Sequence, residues 1–102
     1  MVEFIQCTYF DITKLGMLKA VQAAKATPLE YLEHEFKPEG KSAVMLLEES
    51  HISIHTYPEH AYIAADIYTC GLNQKPYRAV EMLRSLFKPR SIRILEVRRG
   101  PE

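Results

Sequence analysis

Between Glu48 and Glu59 the chain reads Glu-Glu-Ser-His-Ile-Ser-Ile-His-Thr-Tyr-Pro-Glu, so a hydroxyl follows two carboxylates and precedes two imidazoles and a closing carboxylate. A serine hydroxyl becomes a nucleophile when a base is near, and His is the side chain best suited to act as that base. On an extended strand Ile52 and Ile54 point to one face, and His51, Ser53, His55 and Tyr57 to the other. A half-solvated structural strand shows the same alternation, so the pattern alone does not separate chemistry from support. His51 and His55 are spaced like a helical metal pair, but four strand residues span roughly 13 Å, too far to share one ion. No metal site is expected. A Ser-His-acid hydrolase can be drawn through Ser50, His55 and Glu59; the serine lacks a Gly-x-Ser-x-Gly elbow, yet spacing alone leaves that reading open. The four glycines are not clustered as a phosphate loop requires.

These residues need elements to hold them. Val2 to Phe10 is rich in β-branched and aromatic residues and reads as a first strand. Asp11 is placed to cap a helix from Ile12 to about Lys25, where Ile12, Leu15, Leu18 and Val21 recur at helical spacing before Pro28. Tyr31 to Phe36 alternates as a second strand ended by Pro38 and Gly40, and Ala43 to Leu47 is a short apolar run, hence a buried strand that delivers the chain to Ser50. Pro58 ends the next strand. Tyr62 to Thr69 forms another, with Ile63, Ala65 and Ile67 on its apolar face and Cys70 falling opposite. Pro76 opens a second helix with Ala79, Leu83, Leu86 and Phe87 as its stripe, Pro89 stops it, and Ser91 to Val97 supplies a last strand. The order predicts an α+β two-layer sandwich, a mostly antiparallel sheet with two helices on one face.

At 102 residues the chain suits one domain with one core and no separate cofactor domain. Thirteen basic and thirteen acidic side chains, with no long block of either sign, leave no electrostatic footprint for nucleic acid or an anionic membrane. No apolar run is long enough to span a bilayer, and the strand-like start is not a secretory leader, so a cytoplasmic setting is expected. Cys7 and Cys70 form no CxxC pair, in keeping with a reducing compartment. Cys7, in an apolar strand, reads as core.

The run Glu49-Ser-His-Ile-Ser-Ile-His-Thr-Tyr-Pro-Glu59, followed by Ala65-Asp-Ile-Tyr-Thr-Cys-Gly71, resembles the pyruvoyl-dependent S-adenosylmethionine decarboxylases of bacteria and archaea. The resemblance implies a proenzyme that cuts itself between Glu49 and Ser50, with Ser50 becoming a pyruvoyl group, the only cofactor. That ketone would form a Schiff base with the substrate and accept electrons as carbon dioxide leaves. It also implies that His55 is the base in processing, that Ser42 is a second serine that helps processing by hydrogen bonding, and that Cys70 protonates the product carbon. A thiol suits that task, being mostly protonated at neutral pH yet able to give up its proton. Glu49 and Glu59 match substrate-binding carboxylates, Glu59 at the ribose hydroxyls.

Backward counting places Glu33 where the family carries an aromatic residue that stacks on adenine. A carboxylate there would suit a cationic group, so a decarboxylase of ornithine or arginine is the alternative to one acting on S-adenosylmethionine for spermidine synthesis. An unprocessed, non-catalytic binding subunit is a reading of another class, but it gives no reason for Ser50, His55 and Cys70 to occur together. The expected partners are a small-molecule substrate and a second copy, in a homodimer of cleaved protomers with active sites near the interface.

Overall fold

The computed structural model describes residues 1–48, 50–69 and 74–96. Its strands are β1 (Val2–Ile5), β2 (Pro28–Glu35), β3 (Lys41–Leu47), β4 (Ser50–Tyr57), β5 (Tyr62–Tyr68) and β6 (Ser91–Ile94), and its helices α1 (Lys14–Ala23) and α2 (Pro76–Phe87). A single 3-10 turn, Pro58–His60, joins β4 to β5. The strands form one sheet in the order β2-β3-β4-β5-β1-β6, and every neighbouring pair is antiparallel. The first strand therefore lies between the fifth and the sixth.

Strand alternation decides which residues meet the helices. Phe4, Met45, Ile52, Ile54 and Ile63 are buried on one face with Met17, Ala20 and Val21 of α1 and Ala79, Leu83 and Phe87 of α2. The expected alternation of β4 and β5 holds, and both helices cover the same face. Phe4 and Phe87 meet edge-to-face at 5.5 Å between ring centroids, joining the short strand β1 to the end of α2. Phe87→Ala is expected to cost about 3–5 kcal/mol, the range for deleting a fully buried ring, measured as a shift in the urea unfolding midpoint.

Three local expectations are corrected. The first strand stops at Ile5 rather than Phe10 because Gln6 takes a positive φ of 53°. Beyond that turn the backbone bonds elsewhere, Cys7 N–H to the Ala61 carbonyl at 2.8 Å and Thr8 N–H to the Phe87 carbonyl at 3.1 Å. Thr13, not Asp11, caps α1, its Oγ1 accepting from the Gly16 N–H at 3.1 Å. The buried stripe of α1 is Met17, Ala20 and Val21, while Leu15 stands exposed. Of the expected stripe Ile12 and Val21 are fully buried and Leu18 packs against the core, so Leu15 is the exception; Ile12 precedes the helix and enters the core from the loop. Cys7 is core as expected; its thiol donates to the Phe4 carbonyl at 3.3 Å, and burial pushes its pKa up to about 11.

Candidate active site

The β3–β4 hairpin carries the Ser50 region at one end and Gly40, Lys41, Thr56 and Tyr57 at the other. Pairing runs from Leu47↔Ser50 to Lys41↔Thr56. Ser50 opens β4 directly after the turn that contains Glu48. Its side chain lies on the helix-covered face and is nearly buried, and Oγ donates to the Glu48 carbonyl at 3.2 Å. Glu48 N–H bonds the Thr27 carbonyl at 3.3 Å, which ties the turn to the start of β2. Glu49 and Cys70 lie outside the described residues.

Near the other end, Ser42 and His55 are a cross-strand pair on the uncovered face, with Ser42 Oγ 2.7 Å from His55 Nδ1. The imidazole is exposed. His51, on the same face toward Ser50, has Nε2 3.2 Å from Asp66 Oδ2 and its ring 5.7 Å from that of Tyr68. The two histidines thus have separate partners. Ser50 and His55 are five residues apart, about 16 Å along an extended strand, and on opposite faces. The structure does not bring them together within one chain, and a Ser50-His55-Glu59 triad is not formed.

Glu59 stands exposed on the 3-10 turn at the His55 end of the sheet. Phe36, about half exposed, lies there too, edge-on to His34 at 4.6 Å, and flanks a hollow also lined by Gly40, Thr56 and Pro58. Sequence reasoning gave Phe36 no role. Its signal was the aromatic type just before the Pro38–Gly40 turn.

Glu33 is on the opposite, helix-side face of β2. Its Oε1 accepts from the Tyr31 hydroxyl at 2.8 Å, and its Oε2 is 3.3 Å from Lys41 Nζ. Lys41, nearly buried, also contacts Asp11 Oδ1 at 3.2 Å and Glu35 Oε1 at 3.5 Å and donates to the Ile12 carbonyl at 2.8 Å. Burial alone would lower the Lys41 pKa, but hydrogen bonds to Asp11 and Glu33 outweigh it and leave it raised. The Tyr31 hydrogen bond, opposed by burial and helped by Lys41, holds the Glu33 carboxyl below its ordinary 4.5. A depressed carboxyl stabilises the fold above its unfolded pKa and loses that contribution as pH falls through the folded value. Glu33→Gln is therefore expected to flatten the loss of stability below about pH 4.5, seen in urea midpoints measured from pH 6 down to pH 3.

A cavity of about 500 Å³ opens at the Ser50 end, between β5, β6 and the start of α2, lined by Asp66, Tyr68, Thr69, Tyr77, Ile94 and Leu95 among others. It is of a size for a small-molecule ligand. Thr69 follows Tyr68, which pairs with His51, so the cavity begins one strand away from Ser50.

A family model described as S-adenosylmethionine decarboxylase matches residues 2–100. The chain belongs to this family. Among curated relatives it is 43% identical over 91 residues to the S-adenosylmethionine decarboxylase proenzyme of Sulfurihydrogenibium sp., covering 89% of this chain and 68% of that one. The proenzyme of Brevibacillus brevis is 38% identical over 99 residues, covering 97% and 74%. The crystal structure of the adenosylmethionine decarboxylase from Aquifex aeolicus superposes with a TM-score of 0.80 at 29% identity, covering 98% of this chain and 92% of that one. The six-stranded sheet with two helices is thus the decarboxylase fold, as the expected two-layer sandwich implied. Among the described residues no helix is long and apolar enough to cross a membrane.

Proposed function

We propose that the chain is the proenzyme of an S-adenosylmethionine decarboxylase, that it cuts itself between Glu49 and Ser50, and that it does so as a homodimer in which the Ser42–His55 pair of one copy serves Ser50 of the other. One observation carries the reading: Ser50 and His55 lie on opposite faces of β4 and about 16 Å apart along it, so no side-chain rotation unites them within a chain. A two-fold axis between two uncovered sheet faces, running across the strands, exchanges the ends and turns the backbone at each Ser50, where the α-proton is lost, toward the partner's imidazole. The uncovered face offers Leu32, Val44 and Leu46 for such packing, with Leu32 69% and Leu46 46% exposed.

Ser50 Oγ attacks the Glu49 carbonyl and moves the acyl group from nitrogen to oxygen. With Nδ1–H donating to Ser42, His55 presents a bare Nε2 that takes the Ser50 α-proton, and the Glu49 carboxylate leaves. The dehydroalanine left at position 50 takes up water and releases ammonia. Once formed, the pyruvoyl ketone supplies an electron sink for decarboxylation. Ser50 fits this origin: it opens β4, its hydroxyl donates to the Glu48 backbone carbonyl, and a cut before it falls between β3 and β4 and interrupts neither.

Glu49 and Cys70 adjoin Ser50 and Thr69 in the chain, and they keep the roles that the family resemblance implies, a substrate-binding carboxylate and a proton donor. Phe36 and Glu59 belong to the His55 half, where an exposed ring suits a purine face and a carboxylate suits ribose hydroxyls. Such stacking contributes about 0.5–1.5 kcal/mol. Glu33 is assigned to the Lys41 cluster behind the sheet. The carboxylate that pointed to ornithine or arginine is already paired, which favours S-adenosylmethionine.

The test is intact mass with and without a carbonyl-trapping hydrazide, beside Ser50→Ala, followed by carbon dioxide release from S-adenosylmethionine. Fragments of 49 and 53 residues are expected, the second reacting with the trap, and a whole chain from Ser50→Ala. A wild-type chain that stays uncut and unreactive would turn the reading to a non-catalytic binding subunit.

A further inference from the structure

The residues that flank Ser42 and His55 are bonded to each other on the far side of the sheet. Lys41 precedes Ser42, Thr56 follows His55, and the two are cross-strand partners. Thr56 is buried, and its Oγ1 accepts from the Lys41 N–H at 2.8 Å and lies 3.4 Å from the Lys41 carbonyl, to which it donates. One hydroxyl thus engages both backbone groups of the residue before Ser42. Gly40, at φ +102°, brings the incoming chain so close that an added Cβ would stand 3.2 Å from the Thr56 carbonyl. The Lys41 ammonium then fastens this point to Asp11 and the Ile12 carbonyl ahead of α1, and to Glu33 and Glu35 of β2.

Resting on the reading of Ser42 and His55 given above, we infer that Thr56 and Lys41 are positioning residues for self-cleavage: a clamp behind the sheet that fixes the cross-strand geometry of the Ser42–His55 pair in front of it. A burial role alone does not need this chemistry. Valine would fill the space of Thr56 and methionine that of the Lys41 stem, so filling the core does not by itself call for a hydroxyl or an ammonium. What the hydroxyl and the ammonium add is fixed register and fixed height of two adjacent side chains. A hydrogen bond of 2.7 Å between Ser42 and His55 tolerates little drift before the imidazole turns away.

The experiment uses the full chain made by cell-free synthesis, with cleavage followed from release by intact mass and folding checked by thermal melting. Thr56→Val is expected to slow cleavage about 10- to 100-fold, the scale for small displacements of a reacting group, while melting cooperatively. Thr56→Ser, which restores the hydroxyl and lacks the methyl, is expected to cut within about threefold of the wild type on the same scale. Lys41→Met is expected to be slow, and Lys41→Arg to recover part of the rate. Thr56→Val cutting at wild-type speed, or Thr56→Ser no faster than Thr56→Val, would overturn the clamp. His55→Ala separates the two readings: if it remains uncut while Thr56→Val is fast, only the clamp falls, and if it cuts normally, the role of the pair falls and the clamp with it.

Discussion

A Ser50→Ala chain and a His55→Ala chain, each expected to be inert alone, are expected to restore self-cleavage when unfolded together and allowed to re-pair. The His55→Ala chain keeps its Ser50, and in a mixed dimer it faces a partner that keeps Ser42 and His55. Random pairing places about half of the His55→Ala chains opposite such a partner, so about half of them are expected to appear as fragments of 49 and 53 residues. The Ser50→Ala chain stays whole throughout. Were the base supplied within one chain, the mixture would be as inert as its parts, so the absence of fragments rejects the two-copy site. The expectation follows from strand geometry: five residues along β4 reverse the face and add about 16 Å.

The other large effect is expected at Leu46. Leu46→Asp should leave the chain monomeric by light scattering and slow cleavage by at least ~100-fold, since a reacting group without its base loses both proximity and proton transfer. Leu46 lies on the uncovered face beside His51 and is 46% exposed. Within one chain an aspartate there stays hydrated, and the melting temperature of the monomer should change little. Within a dimer it would be buried without a counter-charge, at a cost of several kcal/mol. Leu15→Asp is the control, since Leu15 is more exposed at 63% but lies on α1, away from the open face. A Leu46→Asp chain that dimerises and cuts normally would place the interface elsewhere.

Much of the architecture was legible because it rests on two periodicities. The alternation in Ser50 to Tyr57 and Tyr62 to Tyr68 gave strands with the right faces, and prolines marked the ends of α2 and β4. Asp11 was expected to cap α1 from its place in the chain, and Glu33 was placed by backward counting against the family; neither route shows Lys41, 30 and 8 positions away, with which both are paired. The family resemblance named Ser42 and His55 separately, and the cross-strand register that sets them 2.7 Å apart was not legible in the sequence. That His55 could not reach its own Ser50 was already implicit in the parity of positions 50 and 55. The order β5-β1-β6 was not legible, because nothing local to Val2–Ile5 says which strands it will join.

That order has a consequence for the life of the protein. The proposed cut before Ser50 would assign β1, α1, β2 and β3 to one piece and β4, β5, α2 and β6 to the other. Because β1 is hydrogen-bonded to β5 on one side and β6 on the other, and β3 to β4, the pieces are interleaved. Neither can depart without dismantling the sheet, so the broken backbone goes unnoticed as long as the fold persists. Once unfolded, however, the cut protein must reassemble by a collision between two molecules, whereas the uncut chain folds alone. The intact precursor is then the form in which the molecule can be born, and maturation trades the ability to refold for the ability to catalyse.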